Sequence, residues 1–126
     1  MGSRVTTYKI NGKEYPLCFT MGAAVAMMER YGGIDKIADI VNAKDEARCL
    51  TEAVWMLGQL LHAGCSRARL MGEDSPEPPG VRALYDLLTI GDLHSARVAI
   101  MGCLVAGSAR NVEADPVKNA EATREI

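Results

Sequence analysis

Two side chains in this sequence have the type and spacing of metal ligands. His62 and Cys65 are separated by two residues, so on a helix they would lie one turn apart on the same face. A structural zinc site needs four ligands, and no matching pair occurs elsewhere, because His94 and Cys103 are nine residues apart. We therefore predict no metal site.

The same pair is the best candidate for a cysteine nucleophile with a histidine base. Neighbours at positions i and i+3 of one helix leave little room for an oriented base, a third orienting group and an oxyanion site. The segment Gly58–Gly64 lacks the Lys-Ser/Thr end of a phosphate-binding loop. The sequence thus predicts no catalytic residue, no cofactor and no enzymatic activity.

The spacing of the four cysteines does not match a CxxC motif for metal binding or redox chemistry. None of Cys18, Cys49, Cys65 and Cys103 forms a CxxC pair, and three of the four lie in apolar helical patterns. Free thiols buried in a protein of the reducing cytosol are the expected state.

Composition limits the class of protein. A chain of 126 residues with 48% apolar residues suits one globular domain, and 5% aromatics leave the core to aliphatic and Met side chains. A net charge of −2 lacks the basic excess of a nucleic-acid-binding protein. We see no apolar run of the roughly 20 residues that a membrane span needs, and no secretory signal.

A β-hairpin is predicted over residues 4–19. Its turn is Asn11-Gly12, two residues that tolerate the positive φ of a type I′ turn. Pro16 cannot donate to a strand ladder, so the second strand should be an edge strand or be interrupted there.

Helical spacing of apolar residues accounts for most of the remaining chain. The fold class is mainly α, an N-terminal β-hairpin followed by about five helices in a small bundle, at the margin of α+β. Thr20 is the expected N-cap of the first helix, and Thr89 with Asp92 resembles a capping box before the last. We predict one domain over 1–110 and a flexible C-terminal tail over 111–126. The predicted helices are 21–31, 34–42, 45–70, 81–88 and 90–109.

Several large apolar side chains are candidates for contact with a partner. Methionine is flexible and polarisable, so it suits adaptable binding surfaces. Trp55, the only Trp, is either a residue at the edge of the core or an anchor for a partner. The candidate partner-binding residues are Met21, Val25, Met28, Trp55, Met56 and Met101.

The first 42 residues resemble the start of the tail assembly chaperones of long-tailed bacteriophages and prophages. The resemblance is carried by Tyr8-Lys9-Ile10-Asn11-Gly12-Lys13-Glu14-Tyr15-Pro16-Leu17, by Phe19-Thr20-Met21-Gly22-Ala23-Ala24 and by Met28-Glu29-Arg30-Tyr31-Gly32-Gly33. The remainder matches only as helix, loop and helix.

The resemblance implies a function in the cytoplasm of a bacterial host. Such proteins coat the tape measure protein, a long helical chain, and keep it soluble until tail tube subunits displace them. In many members a ribosomal frameshift appends a domain that recruits the major tail tube protein. The sequence ending at Ile126 would be the short, unextended form. Members are not enzymes and use no cofactor.

Other classes remain to be distinguished. A small structural tail or connector component would stay in purified phage particles. A small helical Cys/His hydrolase would depend on Cys65. A helix-turn-helix regulator would need a basic recognition helix, which neither the long nor the last helix provides. Long amphipathic helices with small flanking residues also predict self-association.

Overall fold

The computed structural model describes residues 6–108 and confirms a mainly helical fold with an N-terminal hairpin. The predicted ends of the hairpin at residues 4–5 and the predicted tail over 111–126 lie outside the described residues. A single 3-10 turn, Ile90–Asp92, precedes the last helix. The elements are β1 (Thr6–Ile10), β2 (Lys13–Leu17), α1 (Met21–Tyr31), α2 (Ile34–Val41), α3 (Glu46–Leu70), α4 (Val81–Leu87) and α5 (Leu93–Ser108).

The hairpin forms around the predicted turn. Asn11 has φ 52° and Gly12 has φ 80°, which is the left-handed pair that a type I′ turn requires. The antiparallel register places Thr7 opposite Pro16. The sheet has only two strands, so β2 is an edge strand, where a proline without a backbone N–H is tolerated. One face of the hairpin is buried against α3 and α5, through Tyr8, Ile10, Tyr15 and Leu17.

Helix α3 is the centre of the domain and contacts β2, α1, α2, α4 and α5. Glycine allows two of these close approaches. A Cβ on Gly64 would stand 2.1 Å from the carbonyl oxygen of Pro16, and one on Gly58 would stand 2.6 Å from Cγ2 of Val81. The α3 residues in the core are Cys49, Ala53, Met56, Leu57, Leu60, Leu61 and Cys65.

The predicted helix caps are present. The hydroxyl of Thr20 accepts a hydrogen bond from the backbone N–H of Ala23 at 3.2 Å. The backbone N–H of Thr89 donates to the Asp92 carboxylate at 2.8 Å, which completes the capping box. That box starts the 3-10 turn rather than the helix itself, so α5 begins at Leu93 instead of residue 90.

Helices α1 and α4 bury only a few of their apolar side chains. In α1 the buried residues are Ala23 and Met27, so its apolar spacing at Met21 faces solvent. In α4 only Leu84 is fully buried, and Leu87, the last residue of the helix, is exposed. Neither helix carries a strong polar face that would fix its rotation from sequence alone.

The sequence analysis predicted no segment apolar and long enough to span a membrane, and the segment that contains α5 departs from that prediction. The segment Ile90–Ser108 has a mean hydropathy of 1.2 and, by length and composition only, could cross a membrane. The core helices of globular domains meet the same criterion. The inner side of α5 belongs to the core of this domain, through Ala96, Ala99, Ile100, Cys103 and Leu104.

Candidate partner-binding surfaces

His62 and Cys65 do not form a site. Cys65 is buried in the core, whereas His62, one helical turn earlier at the edge of the same face, is exposed to solvent. Within residues 6–108, no group of three or more His, Cys, Asp or Glu side chains is placed to hold a metal ion.

All four cysteines are buried as free thiols. Burial raises the pKa of Cys103 to about 12, and the nearby Cys18 adds to that shift. Burial also raises the pKa of Cys18, although the charge of Arg67 opposes this. The Cys49 sulfur lies 2.9 Å from Nη2 of Arg97. Thiols that stay protonated and lack access to solvent are poor nucleophiles.

The end of α1 is fastened to α3 by a polar and aromatic cluster. Arg30 Nε donates to the Glu52 carboxylate at 2.8 Å, and the Tyr31 hydroxyl donates to the same carboxylate. The hydrogen bond from Arg30 is the main reason that the pKa of Glu52 is lowered. Burial and this carboxylate together raise the pKa of Tyr31.

Trp55 belongs to this cluster. Its ring lies 4.4 Å from the Arg30 guanidinium carbon and packs edge-to-face on Tyr31 with centroids 5.8 Å apart. It is half-buried and packs against the core. Of the two roles considered for Trp55, this position is that of a residue at the edge of the core.

Three of the candidate partner-binding residues form an exposed row on α1. Met21 is 86% exposed, Val25 55% and Met28 37%. They lie at positions i, i+4 and i+7, so they share one side of the helix. We call these three residues the α1 outer row.

Met56 is a correction to the predicted set. It is fully buried at the centre of the core, so it is not available to a partner. Its side chain belongs to the hydrophobic core cluster, where a flexible methionine can fill irregular space. Met101 is half-buried on α5.

A second exposed apolar surface lies on α5. Val98 and Val105 are both more than half exposed, and they line a shallow depression with Met101, Gly102 and Ala106. We call these five residues the α5 outer face. The spacing could not separate the two sides, because α5 is apolar nearly all round.

A groove runs between the start of α1 and the second half of α3. Its α3 side is one continuous helical stripe at positions i, i+3, i+4, i+7, i+8 and i+11. We call it the α1–α3 groove. The sequence did not predict this groove, because it forms only where the two helices pack together. The lining residues are Thr20, Gly22, Ala23, Gln59, His62, Ala63, Ser66, Arg67 and Leu70.

Comparison of the chain with protein-family models, with curated proteins and with solved structures finds no significant match in any of the three.

Proposed function

We propose that this chain is a phage tail assembly chaperone that binds the tape measure protein in the host bacterial cytoplasm and keeps it soluble until the tail tube assembles. The proposal starts from the resemblance of the first 42 residues. The elements that carry it are the hairpin β1–β2, the capped helix α1 and the short helix α2. A longer frameshifted product would recruit the major tail tube protein.

The α1 outer row is the single observation that carries the proposal. Burying one such side chain completely contributes about 1.5–3 kcal/mol. Because the three are already partly covered, the whole row offers roughly 4 kcal/mol to an apolar partner helix. The entropy lost on association offsets much of this, so one copy binds weakly. Many copies along one long client would bind with avidity, which suits reversible coating.

Co-expression with the tape measure protein encoded beside this chain tests the proposal. We expect the client to be soluble with the wild-type chain and largely insoluble with the triple variant Met21→Ser, Val25→Ser, Met28→Ser. A matched control replaces two exposed apolar residues outside the row, Tyr85→Ser and Ile90→Ser, and should retain the effect.

Two outcomes would count against this function. One is a client whose solubility does not depend on the chain or on the α1 outer row. The other is a chain that remains at full stoichiometry in purified particles, as a structural tail or connector component would.

We also propose that the α5 outer face mediates self-association. Gly102 has open space where a Cβ would stand, so a second helix can approach closely. An antiparallel pair centred on Gly102 would set Val98 against Ala106 of the second copy. It would also separate the two Arg97 side chains by roughly 15 Å along the axis. That distance exceeds the physiological Debye length of about 8 Å, so their repulsion is screened.

Sedimentation velocity tests this second contact. Val98→Ser with Val105→Ser should shift the chain to monomer at concentrations where the wild type associates, while Ile90→Ser should not. A wild-type chain that stays monomeric at high concentration would refute it.

A further inference from the structure

We propose that the α1–α3 groove binds an amphipathic helix of the client whose apolar face is flanked by carboxylates. This deepens the proposed function, on which it rests, by naming the chemistry of the bound segment.

The shape of the groove fits a helix. Its α3 side extends over twelve residues, from Gln59 to Leu70, and the rise between the first and the last is roughly 16 Å, which matches about three turns of a bound helix. The lining includes Gly22, Ala23 and Ala63, which are small enough for a second helix to come close. Small residues that face an apolar helix are a common basis of close helix packing.

Apolar contact is available at the ends of the groove. Leu70, at the end of α3, is 86% exposed and lines the groove. Met21, which precedes the lining residue Gly22, belongs to the α1 outer row and is equally exposed. A partner helix in the groove would therefore cover Leu70 and meet the α1 outer row at its first residue.

The charge of the groove favours acidic residues beside the apolar face of the partner helix. Arg67 is its only formally charged lining residue, and none of the lining residues is acidic. Arg67 makes no ion pair with the side chains that the structure describes. His62 and Gln59 add further hydrogen-bond donors to the same wall.

The start of α1 adds to this positive potential. The groove includes the first turn of α1, which contains no acidic residue to offset the helix dipole. A carboxylate on the partner is thus favoured over an ammonium group in the same place. Exchanging Glu for Lys turns attraction into repulsion, which we expect to change the affinity about tenfold at low salt.

Two labelled peptides of about 18 residues serve as probes. Both carry one Leu/Ala face, flanked by Glu in the first peptide and by Lys in the second. Fluorescence anisotropy with the full-length wild-type chain should give a dissociation constant about tenfold lower for the Glu peptide, with the difference shrinking as salt is raised.

Substitution of Arg67 links the preference to the groove. Arg67→Glu should reverse the preference and Arg67→Gln should abolish it, while Leu70→Ser should weaken both peptides alike. Arg82→Glu on α4 is the matched charge control and should stay within about twofold of wild type, since Arg82 does not line the groove. Circular dichroism identifies the variants that retain the fold, and Arg67→Gln keeps the test decisive if the charge reversal does not fold.

Equal binding of both peptides, tighter binding of the Lys peptide, or an Arg67→Gln variant with the full wild-type preference would overturn the inference. So would a groove that binds a second copy, seen as a dimer that Arg67→Glu dissociates while neither peptide binds. Solubilisation of the tape measure protein without dependence on Arg67 would leave the proposed function standing and reject only this inference. Peptide selectivity without solubilisation would do the reverse.

Discussion

Glu52 is the residue whose removal should most clearly test how α1 is held. It lies on α3, its side chain is 15% exposed, and it accepts hydrogen bonds from both Arg30 and Tyr31. We expect Glu52→Ala to destabilise the domain by loosening the end of α1.

The magnitude follows from the two contacts. Loss of the acceptor for the part-buried Tyr31 hydroxyl costs about 1 kcal/mol. The ion pair with Arg30 is worth about 0.5 kcal/mol after screening, because Arg30 is 39% exposed. The stacking of Arg30 on Trp55 is not removed directly. The total of about 1.5 kcal/mol corresponds to a melting temperature lower by about 6–7 °C for a domain of this size.

Trp55 provides the assay. It is the only Trp and lies within the cluster, so its fluorescence reports directly on the region that is changed. Urea unfolding followed at Trp55 and thermal unfolding followed by circular dichroism should give the same loss. The control is Glu77→Ala, which breaks the ion pair with Arg69. Because Glu77 is 88% exposed, we expect less than about 0.5 kcal/mol there.

The pH dependence of stability tests whether the ionised carboxylate of Glu52 causes this loss. The pKa of Glu52 is lower in the folded chain than its ordinary value of 4.5. Its contribution is therefore complete above about pH 4.5 and is lost as pH falls through the folded value. The difference between wild type and Glu52→Ala should be constant near neutral pH and shrink in acid. A loss equal to that of the control, or one independent of pH, would refute the proposed role of the carboxylate.

Three further predictions concern packing and the thiols. Gly64→Ala should destabilise the domain by about 2–3 kcal/mol, since its Cβ would overlap the Pro16 carbonyl. Gly102→Ala has open space around the new Cβ and should stabilise the domain by about 0.5–1 kcal/mol. Urea unfolding measures both changes. Met56→Ala should cost about 2–5 kcal/mol and Met21→Ala less than about 0.5 kcal/mol by the same method; similar losses would contradict the assigned burial. The four cysteines should react with a thiol reagent only after denaturant is added; rapid labelling of the native chain near neutral pH would contradict their burial.

Local signals in the sequence predicted the elements closely. The Asn11-Gly12 turn, the Thr20 cap and the Thr89–Asp92 box each depend on hydrogen bonds or backbone angles within a few residues. Such features require no knowledge of the rest of the fold. The five predicted helices accordingly match the structure to within about three residues at their described ends.

The side of a helix that faces the core was harder to predict where the helix is apolar on more than one side. Met21 and Met27 are chemically identical, yet one is exposed and the other is in the core. What separates them is the position of the helices that pack against α1, namely α2 and α3, which a pattern confined to α1 does not contain. The same reason explains Met56, whose spacing on α3 is consistent with either side.

This ambiguity makes the proposed surfaces testable. The core is already closed by side chains such as Met27, Leu57 and Ile100, which are fully buried without the α1 outer row. Replacing Met21 or Val25 by serine therefore removes apolar surface that is mostly exposed and contributes little to the stability of the described domain. Folding and partner binding should respond independently to substitutions on this row. If serine at these positions lowered the melting temperature as much as a core substitution, the α1 outer row would belong to the hydrophobic core and would not be a partner-binding surface.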